Sequence, residues 1–399
     1  MRGHQARLSP TSEQAASLHQ WTGAARFLWN LALEQRTTCR RRGINKIVQC
    51  RDLTELRAEV DWILDLPAQV AQQVLADLDL AYQRWGVGLA HRPGRKRRFR
   101  NEASLRFPQQ VEVRRLNRRW GAVRLQKLGW VKFRWTRELA GTVKNATVSR
   151  DAAGWQVAFC LETAEKPVEP NGLPAVGVDR GVAIAFMTSD GTPHDRPMWR
   201  PKEKERLVWL ERLKARQVKG SNRYRATCGK IARLHHRASN RRRDFAHQTS
   251  CDLAKSHGLV AIENLWVPAM TASAAGTVED PGRNVAAKAG LNRAILDKGW
   301  GLVNHQLAYK CEWYGSQRIE VPARNTSLEC PACGHVSRDN RPLRAVFLCA
   351  ACGHGDHADR NAAINIRERG IKLALAGGLP VAGRKVLRTW RQPAQEAVA

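Results

Sequence analysis

The chain has 399 residues, and its 67 lysines and arginines against 36 aspartates and glutamates give a formal net charge of +31. Such a charge on a folded chain repels itself unless a polyanion compensates it, so nucleic acid is the expected main partner. No membrane partner is expected, because no run approaches the roughly 18–20 apolar residues of a membrane span. At about 100–200 residues per domain, the length predicts two or three domains.

The cysteines and the amino terminus indicate the compartment. Four of the ten cysteines form two CxxC pairs, and the others are scattered along the chain without a pairing pattern. This usage favours a reducing cytoplasm over a disulfide-stabilised secreted protein. The first ten residues also lack the apolar segment of a signal peptide.

The first hundred residues are predicted to be mainly helical. Thr11 and Gln14 resemble a capping box, and apolar residues then recur at helical spacing from Leu18 to Ala32. The basic segment 91–100 interrupts this pattern as either a solvated loop or a phosphate contact, and the charge of the chain favours the contact. The tryptophans expected in the core, rather than on a base-stacking surface, are Trp21, Trp29, Trp62 and Trp85.

Between residues 103 and 163 the apolar period changes to two, which predicts short strands. Alternate residues of the segment 155–161 share one apolar face. These features predict a small antiparallel barrel. The proline- and glutamate-rich segment 164–174 then predicts a domain boundary.

Two apolar strands in the second half of the chain each carry one acid, Asp179 and Glu263, and a third acid, Asp359, begins a predicted helix. A buried carboxylate is costly unless it is paired or bound to a metal. Strands separated by helices, with an acid on a later helix, follow the ribonuclease H-like plan. In that plan three carboxylates hold two magnesium ions, which activate a water and stabilise the leaving oxygen of a phosphodiester. Singly, Asp179 could instead cap a turn and Glu263 could pair with an arginine.

The two CxxC pairs are separated by the 15 residues 334–348. In a reducing compartment this spacing predicts one structural zinc ion with four sulfur ligands. Arginines in the spacer favour contact of this module with nucleic acid over a purely bracing role. The predicted ligands are Cys330, Cys333, Cys349 and Cys352.

Several segments together resemble the TnpB family, the transposon-encoded relatives of compact type V CRISPR nucleases. They are residues 8–33, GVDRG (177–181), AIENL (261–265), residues 300–321, TSLECPACGH (326–335) and HADRNAAINI (357–366). The resemblance implies an RNA-guided double-stranded DNA endonuclease whose partners are a guide RNA and target DNA. Carried over by motif, the catalytic, magnesium-binding acids are Asp179, Glu263 and Asp359, and the zinc ligands are the four cysteines.

The resemblance also implies an α+β multidomain fold with a helical recognition lobe, a small wedge β-barrel and a RuvC (ribonuclease H-like) nuclease domain with an inserted Cys₄ zinc ribbon. It implies a prokaryotic cytoplasmic protein, associated with the nucleoid when bound to DNA, as a monomer or a dimer. The expected bounds are 1–10 for the start of the wedge barrel, 11–95 for the lobe, 96–165 for the barrel, 166–174 for a linker, 175–325 and 355–372 for the nuclease domain, 326–354 for the ribbon and 373–399 for a mobile tail.

Two alternative functions stay open at this point: a non-cleaving RNA-guided DNA-binding repressor, and a strand-transfer transposase that uses three acids on the same fold. Arg180 follows the first acid, where many TnpB relatives carry a small or aliphatic residue. It could orient Asp179 or weaken metal binding. The segment 268–290, rich in small residues, is either a lid over the site or an ordinary loop.

Overall fold

The structure is a computed structural model that describes residues 1–38, 44–98, 103–163, 168–379 and 381. The chain divides into two compact units, Met1–Lys166 and Pro167–Ala399. No helix within the described ranges combines the length and the apolar character that a membrane span requires.

Four helices form much of the first unit. The first begins after the predicted capping box, which is confirmed because the Thr11 and Gln14 side chains each accept a hydrogen bond from the other's backbone N–H. Asn45 caps the second helix by accepting from the N–H groups of Ile47 and Val48. The helices are α1 (Ser12–Thr38), α2 (Lys46–Glu59), α3 (Asp61–Leu64) and α4 (Ala68–Gly86).

The strands of the first unit form one antiparallel seven-stranded sheet in the order β2-β6-β7-β1-β5-β4-β3. The central strand β1 pairs with β7 along Arg2–Arg7 and with β5 at Leu8–Ser9, so it joins the two halves of the sheet. Within the described residues the outermost strands do not pair with each other, so the hydrogen bonding forms an open sheet. The sequence pattern had predicted a barrel. The strands are β1 (Arg2–Ser9), β2 (Ala103–Phe107), β3 (Glu112–Arg115), β4 (Trp120–Leu125), β5 (Gly129–Arg134), β6 (Thr142–Asp151) and β7 (Gly154–Glu162).

The helices and the sheet of the first unit share one hydrophobic core. Trp21 and Trp29 lie in it, but the prediction was wrong for Trp62 and Trp85, which are 41% and 44% exposed. Trp62 belongs to the single-turn helix α3, outside any helical repeat that would set its direction. Trp85 lies in the last turn of α4, beyond Leu78, the last buried residue of that helix.

The described part of the basic connector, residues 91–98, is attached to α1. The Trp29 indole N–H donates to the Gly94 carbonyl, and Asn30 exchanges two hydrogen bonds with the backbone of Lys96. The Lys96 ammonium also lies 3.7 Å from the centre of the Trp29 ring. Contact of this connector with phosphate stays a prediction.

The second unit is built on a five-stranded sheet in the order β10-β9-β8-β11-β12. The strands β8, β11 and β12 are parallel, whereas β9 and β10 continue the sheet as an antiparallel meander. The central parallel strands are apolar because both of their faces are covered. The strands are β8 (Ala175–Asp179), β9 (Phe186–Thr188), β10 (Pro193–His194), β11 (Leu259–Glu263) and β12 (Gln317–Val321).

Helices cover this sheet. Two differences from the sequence prediction concern their bounds: the segment 268–290 contains part of a short helix and the start of another, and the last helix continues into the predicted tail as far as Ala376. Residues 380 and 382–399 of that tail lie outside the described residues. The helices are α5 (Pro201–Ala215), α6 (Asn222–Ser256), α7 (Val267–Met270), α8 (Val285–Lys298), α9 (Trp300–Tyr314) and α10 (Ala358–Ala376).

The helix α10 lies directly on β8 and β11, and two glycines permit the close approach. A Cβ atom on Gly177 would lie 2.0 Å from the Ala363 carbonyl oxygen, and one on Gly370 would lie 2.3 Å from the Ala261 Cβ. Both distances are too short for any other residue type without a shift of the backbone. This contact places the first turn of α10 beside the carboxyl ends of the two strands.

A short two-stranded ribbon precedes α10. Its strands β13 (Val346–Leu348) and β14 (Gly355–His357) are antiparallel, and β14 leads directly into the helix. Phe347 is fully buried beside Cys330 and Cys349, so the ribbon packs around its cysteines.

Candidate functional site

The sheet and α10 bring the three predicted acids to one place. Val178 and Ile262 are register partners in the parallel strands β8 and β11, and Asp179 and Glu263 follow them at the carboxyl ends. Asp359 lies in the first turn of α10, where its backbone N–H donates to His357 Nδ1 at 3.3 Å. All three side chains line one cavity of about 420 Å³.

The carboxylates repel one another in this cavity. Burial, followed by the charges of Glu263 and Asp359, raises the pKa of Asp179 from 3.8 to about 7. A hydrogen bond from the Arg180 backbone and the charge of Arg341 act in the opposite direction. Repulsion from the other two carboxylates therefore acts on Asp179 more strongly than attraction by Arg341, and a bound metal cation would relieve that repulsion.

Glu263 is held in place by a residue that the sequence analysis did not single out. Its side chain is 7% exposed, and burial raises its pKa, while a hydrogen bond from Thr326 and the charges of Arg180 and Arg369 lower it. The Thr326 hydroxyl donates to Glu263 Oε1 at 2.7 Å, and both groups are buried. A lone threonine before a CxxC pair gives no sequence signal of this contact.

Arg180 forms its hydrogen bond with the second acid and not with the acid that precedes it in the sequence. Its guanidinium donates to the backbone carbonyl of Glu263, and its side chain is buried. It also lies near the charge of Glu320 on β12. Arg180 therefore links the ends of two neighbouring strands and does not form an ion pair with Asp179.

The spacer between the cysteine pairs reaches the same cavity. The Arg341 guanidinium lies 3.9 Å from Asp359 Oδ1, and Arg344 also lines the cavity. The spacer arginines were predicted to contact nucleic acid, but no sequence pattern places them beside an acid that follows the ribbon.

The carboxylates offer the hard oxygen donors that magnesium prefers. Histidine, cysteine, aspartate and glutamate side chains can all bind a metal. Among the residues that the structure describes, the four ribbon thiols are the only group of three or more of them whose donor atoms all lie within 4.8 Å of one another. The three carboxylates are therefore not all within 4.8 Å of one another. Their chemistry and their mutual repulsion fit a divalent cation.

The four predicted zinc ligands converge. Cys330 Sγ lies 3.6 Å from Cys352 Sγ, and Cys333 Sγ lies 3.6 Å from Cys349 Sγ. Zinc–sulfur bonds of about 2.3 Å in a tetrahedron place sulfurs about 3.8 Å apart, so the thiols fit one zinc ion.

The two cysteine pairs have the same local structure. In each, the first cysteine donates its N–H five residues ahead, to His335 or His354, and accepts from a glycine with positive φ, Gly334 or Gly353. Asn340 joins the two turns, since it donates to the His335 carbonyl and accepts from the N–H of Ala350. Asn340 is fully buried, and the sequence analysis missed it.

One segment connects the ribbon to the acids. Asn365 on α10 donates to the carbonyls of Thr326 and Glu329, and Asn361 donates to that of Glu329. The residue after Glu329 is the first ligand cysteine, Cys330. The segment 326–329 therefore contacts the zinc ligands at one end and Glu263 at the other.

Comparison with known proteins gives the family. Residues 300–366 match the family model described as Cas12f1-like, TNB domain, residues 158–274 match the one described as "Probable transposase", and residues 1–44 match a helix-turn-helix domain. Over 384 residues the chain is 38% identical to the Escherichia coli K12 protein named "Putative RNA-guided DNA endonuclease InsQ", and the match covers 94% of each chain. The chain belongs to the TnpB family.

A second relative and one solved structure are also similar to this TnpB protein. A Streptomyces pristinaespiralis protein named "Putative RNA-guided DNA endonuclease" is 30% identical over 400 residues, which cover 98% of this chain and 94% of the relative. Cas12f1, solved by cryo-EM in a complex with sgRNA and target DNA, has a similar fold with a TM-score of 0.54 at 14% identity. That match covers 90% of this chain and 83% of the Cas12f1 chain.

The thiol cluster predicts zinc binding that depends on each cysteine. Cys330→Ser should lower the zinc content from about one ion per chain to near zero and unfold the ribbon, because structural zinc supplies folding free energy directly. Metal analysis of protein purified without chelator measures this. Cys228→Ser, which changes a half-buried cysteine outside the ribbon, is the matched control and should keep its zinc. Equal zinc in both variants would contradict the assignment.

The raised pKa of Asp179 predicts a pH-dependent stability in magnesium-free buffer. The folded protein binds this proton up to about pH 7 and the unfolded chain only up to about pH 4, so the contribution of this group to stability falls as the pH rises between them. Asp179→Asn cannot ionise, and its stability relative to wild type should rise by roughly 2–4 kcal/mol between pH 5 and pH 8, at ~1.4 kcal/mol per pKa unit.

Urea unfolding without chelator, which leaves zinc in place, measures this difference. Asp280→Asn, at an exposed position outside the cavity, is the control for loss of a carboxylate elsewhere in the second unit. A constant difference between Asp179→Asn and wild type across this pH range would show that Asp179 is ionised in the folded site at pH 5.

Proposed function

We propose that this TnpB protein is an RNA-guided double-stranded DNA endonuclease. The observation that carries the proposal is the convergence of Asp179, Glu263 and Asp359 on one cavity at the carboxyl ends of β8 and β11. The names of the relatives and the net charge of +31, which suits a polyanionic partner, support it.

In this proposal the three carboxylates hold two magnesium ions. When bound, the ions would activate an attacking water and stabilise the leaving oxygen of the phosphodiester. The residues of the chain prepare the site for them. Thr326 fixes one rotamer of Glu263, and Arg180 ties the ends of β8 and β11 so that the first two acids keep their separation. Arg341 adds a positive charge next to Asp359.

The subdomains are proposed on the same basis. Residues 175–325 and 355–372 would form the RuvC nuclease domain, and residues 326–354 would form a ribbon with one zinc ion. The helices within 11–95 would form the recognition lobe, and residues 1–10 and 96–165 the wedge. Pairing of guide RNA with target DNA would supply sequence specificity, while the protein would bind backbones and a short duplex motif next to the target.

The alternatives make different demands on the site. A repressor that binds without cutting needs a defect in the metal site, and Arg180 was the candidate for it. Because Arg180 bonds to the Glu263 carbonyl and leaves the Asp179 carboxylate free of an ion pair with it, the geometry gives the repressor hypothesis no support. A strand-transfer transposase would use the same acids but should join free DNA ends without RNA.

Cleavage of a linear target duplex, with matched guide RNA and magnesium, tests the proposal. Asp179→Ala should reduce cleavage to background because it removes a metal ligand, while the target is bound at least as tightly as by wild type. Asp252→Ala removes an exposed carboxylate outside the cavity and should cut at the wild-type rate.

Cutting by Asp179→Ala at the wild-type rate would refute the site. Wild-type protein that binds its matched target but leaves it intact would instead favour the repressor, and joining of DNA ends in the absence of RNA would favour the transposase.

A further inference from the structure

The helices α5 and α6 form a hairpin that is closely packed on its inner side. Leu210 of α5 is fully buried against Ile231 and Leu234 of α6. The Arg241 guanidinium donates to both carboxylate oxygens of Glu203, at 2.6 and 2.8 Å. A bidentate pair of this kind fixes the two helices relative to each other.

The outer side of α5 carries an exposed tryptophan among cations. Trp209 is 55% exposed, although it directly precedes the fully buried Leu210. Residues three and seven positions away lie within about 60° of Trp209 around a helix of 3.6 residues per turn. Four exposed cations occupy these positions: Lys202, Arg206, Arg212 and Arg216. One acid, Glu205, lies on the same face.

The four cations form no ion pair with a described carboxylate. With a rise of 1.5 Å per residue, the stripe from Lys202 to Arg216 is about 21 Å long, which is the span of roughly six stacked nucleotides at 3.4 Å each. An indole between cations matches a nucleobase between phosphates, since each base can stack on the ring while its phosphates contact the cations.

Two other occupants fit this surface less well. Duplex nucleic acid buries the faces of its bases, so it offers the indole nothing to stack on. A second copy of the chain in a two-fold dimer would place the same four cations opposite themselves, which repels. An unpaired strand satisfies both the ring and the charges.

The hairpin extends from the edge of the sheet at which the acids lie. Arg242 of α6 donates to Asp297, and its side chain contacts Gly299, next to the cavity-lining Trp300. The carboxyl-terminal end of α6 is followed by the start of β11, which lies at the opposite edge of the sheet from the acids. The 20 residues of α6 that precede Arg242, about 30 Å of helix, therefore continue beyond the catalytic edge of the sheet, and α5 packs along them.

We propose that this stripe of α5 binds the unpaired DNA strand that approaches the carboxylates, with Trp209 stacked on one of its bases. The inference rests on the proposed nuclease function, because that function requires a DNA strand at the cavity. It adds a separate binding surface whose occupant can be measured without any cleavage.

The probe is a fluorescent 20-nucleotide oligodeoxythymidine, titrated into protein already loaded with guide RNA in magnesium-free buffer. Loading with guide RNA restricts the probe to surfaces that the guide leaves free, and the absence of magnesium prevents cutting. Trp209→Ala should weaken binding roughly tenfold, the effect expected for loss of one base–aromatic stack, and Trp209→Phe should keep most of the affinity. Arg212→Gln should lower the slope of log affinity against log salt by about 0.7.

Val208→Ala is the matched control, because Val208 is 50% exposed on the same helix, lies about 100° from Trp209 around it and has no ring for a base to stack on, and it should leave the affinity unchanged. Wild-type affinity in Trp209→Ala would overturn the proposal. So would a loss confined to guide RNA binding, or a concentration-dependent dimer of the wild type that Trp209→Ala abolishes. A wild-type protein that binds the probe but never cuts its target would refute the nuclease function and leave the binding surface standing.

Discussion

The second unit depends on the close contact of α10 with the strands β8 and β11. Gly177 and Gly370 remove the side chains that would separate them, and the helix then brings Asp359 to the ends of strands that carry Asp179 and Glu263. Burial, followed by repulsion from the other two carboxylates, raises the pKa of Asp179 to about 7. Their approach is unfavourable on its own, and the packing of apolar strands against a helix overcomes it. A bound cation would turn this repulsion into attraction.

A second consequence of the same packing is that the ribbon is part of the site. The helix α10 begins where the ribbon ends, and its asparagines hold the segment 326–329 that orients Glu263 through Thr326. Loss of the thiol cluster would therefore free both the residue that positions the second acid and the segment that precedes the third. The ribbon stabilises the carboxylate site as well as presenting Arg341 to it.

The sequence allowed the apolar strands, the capping box and the convergence of the four cysteines to be predicted, because each follows from local pattern or from ligand chemistry. The nearness of the three acids, which are far apart along the chain, was predicted from the order of two acid-bearing strands and a later helix, and from the family resemblance. Thr326 and Asn340 were missed because their roles depend on tertiary contacts of ordinary polar residues. Trp62 and Trp85 were misplaced because a hydrophobic residue near the end of a helix has no repeat to fix its direction.

The central claim is that these carboxylates bind two divalent cations together. Manganese, which replaces magnesium at oxygen sites, can be titrated into the complex with guide RNA and a phosphorothioate target and followed by electron paramagnetic resonance. The account predicts two manganese ions per chain with the spin coupling of ions about 3.5–4 Å apart, and loss of that coupling in Glu263→Gln. Uncoupled manganese in the wild-type complex, or the same coupling in Glu263→Gln, would contradict it.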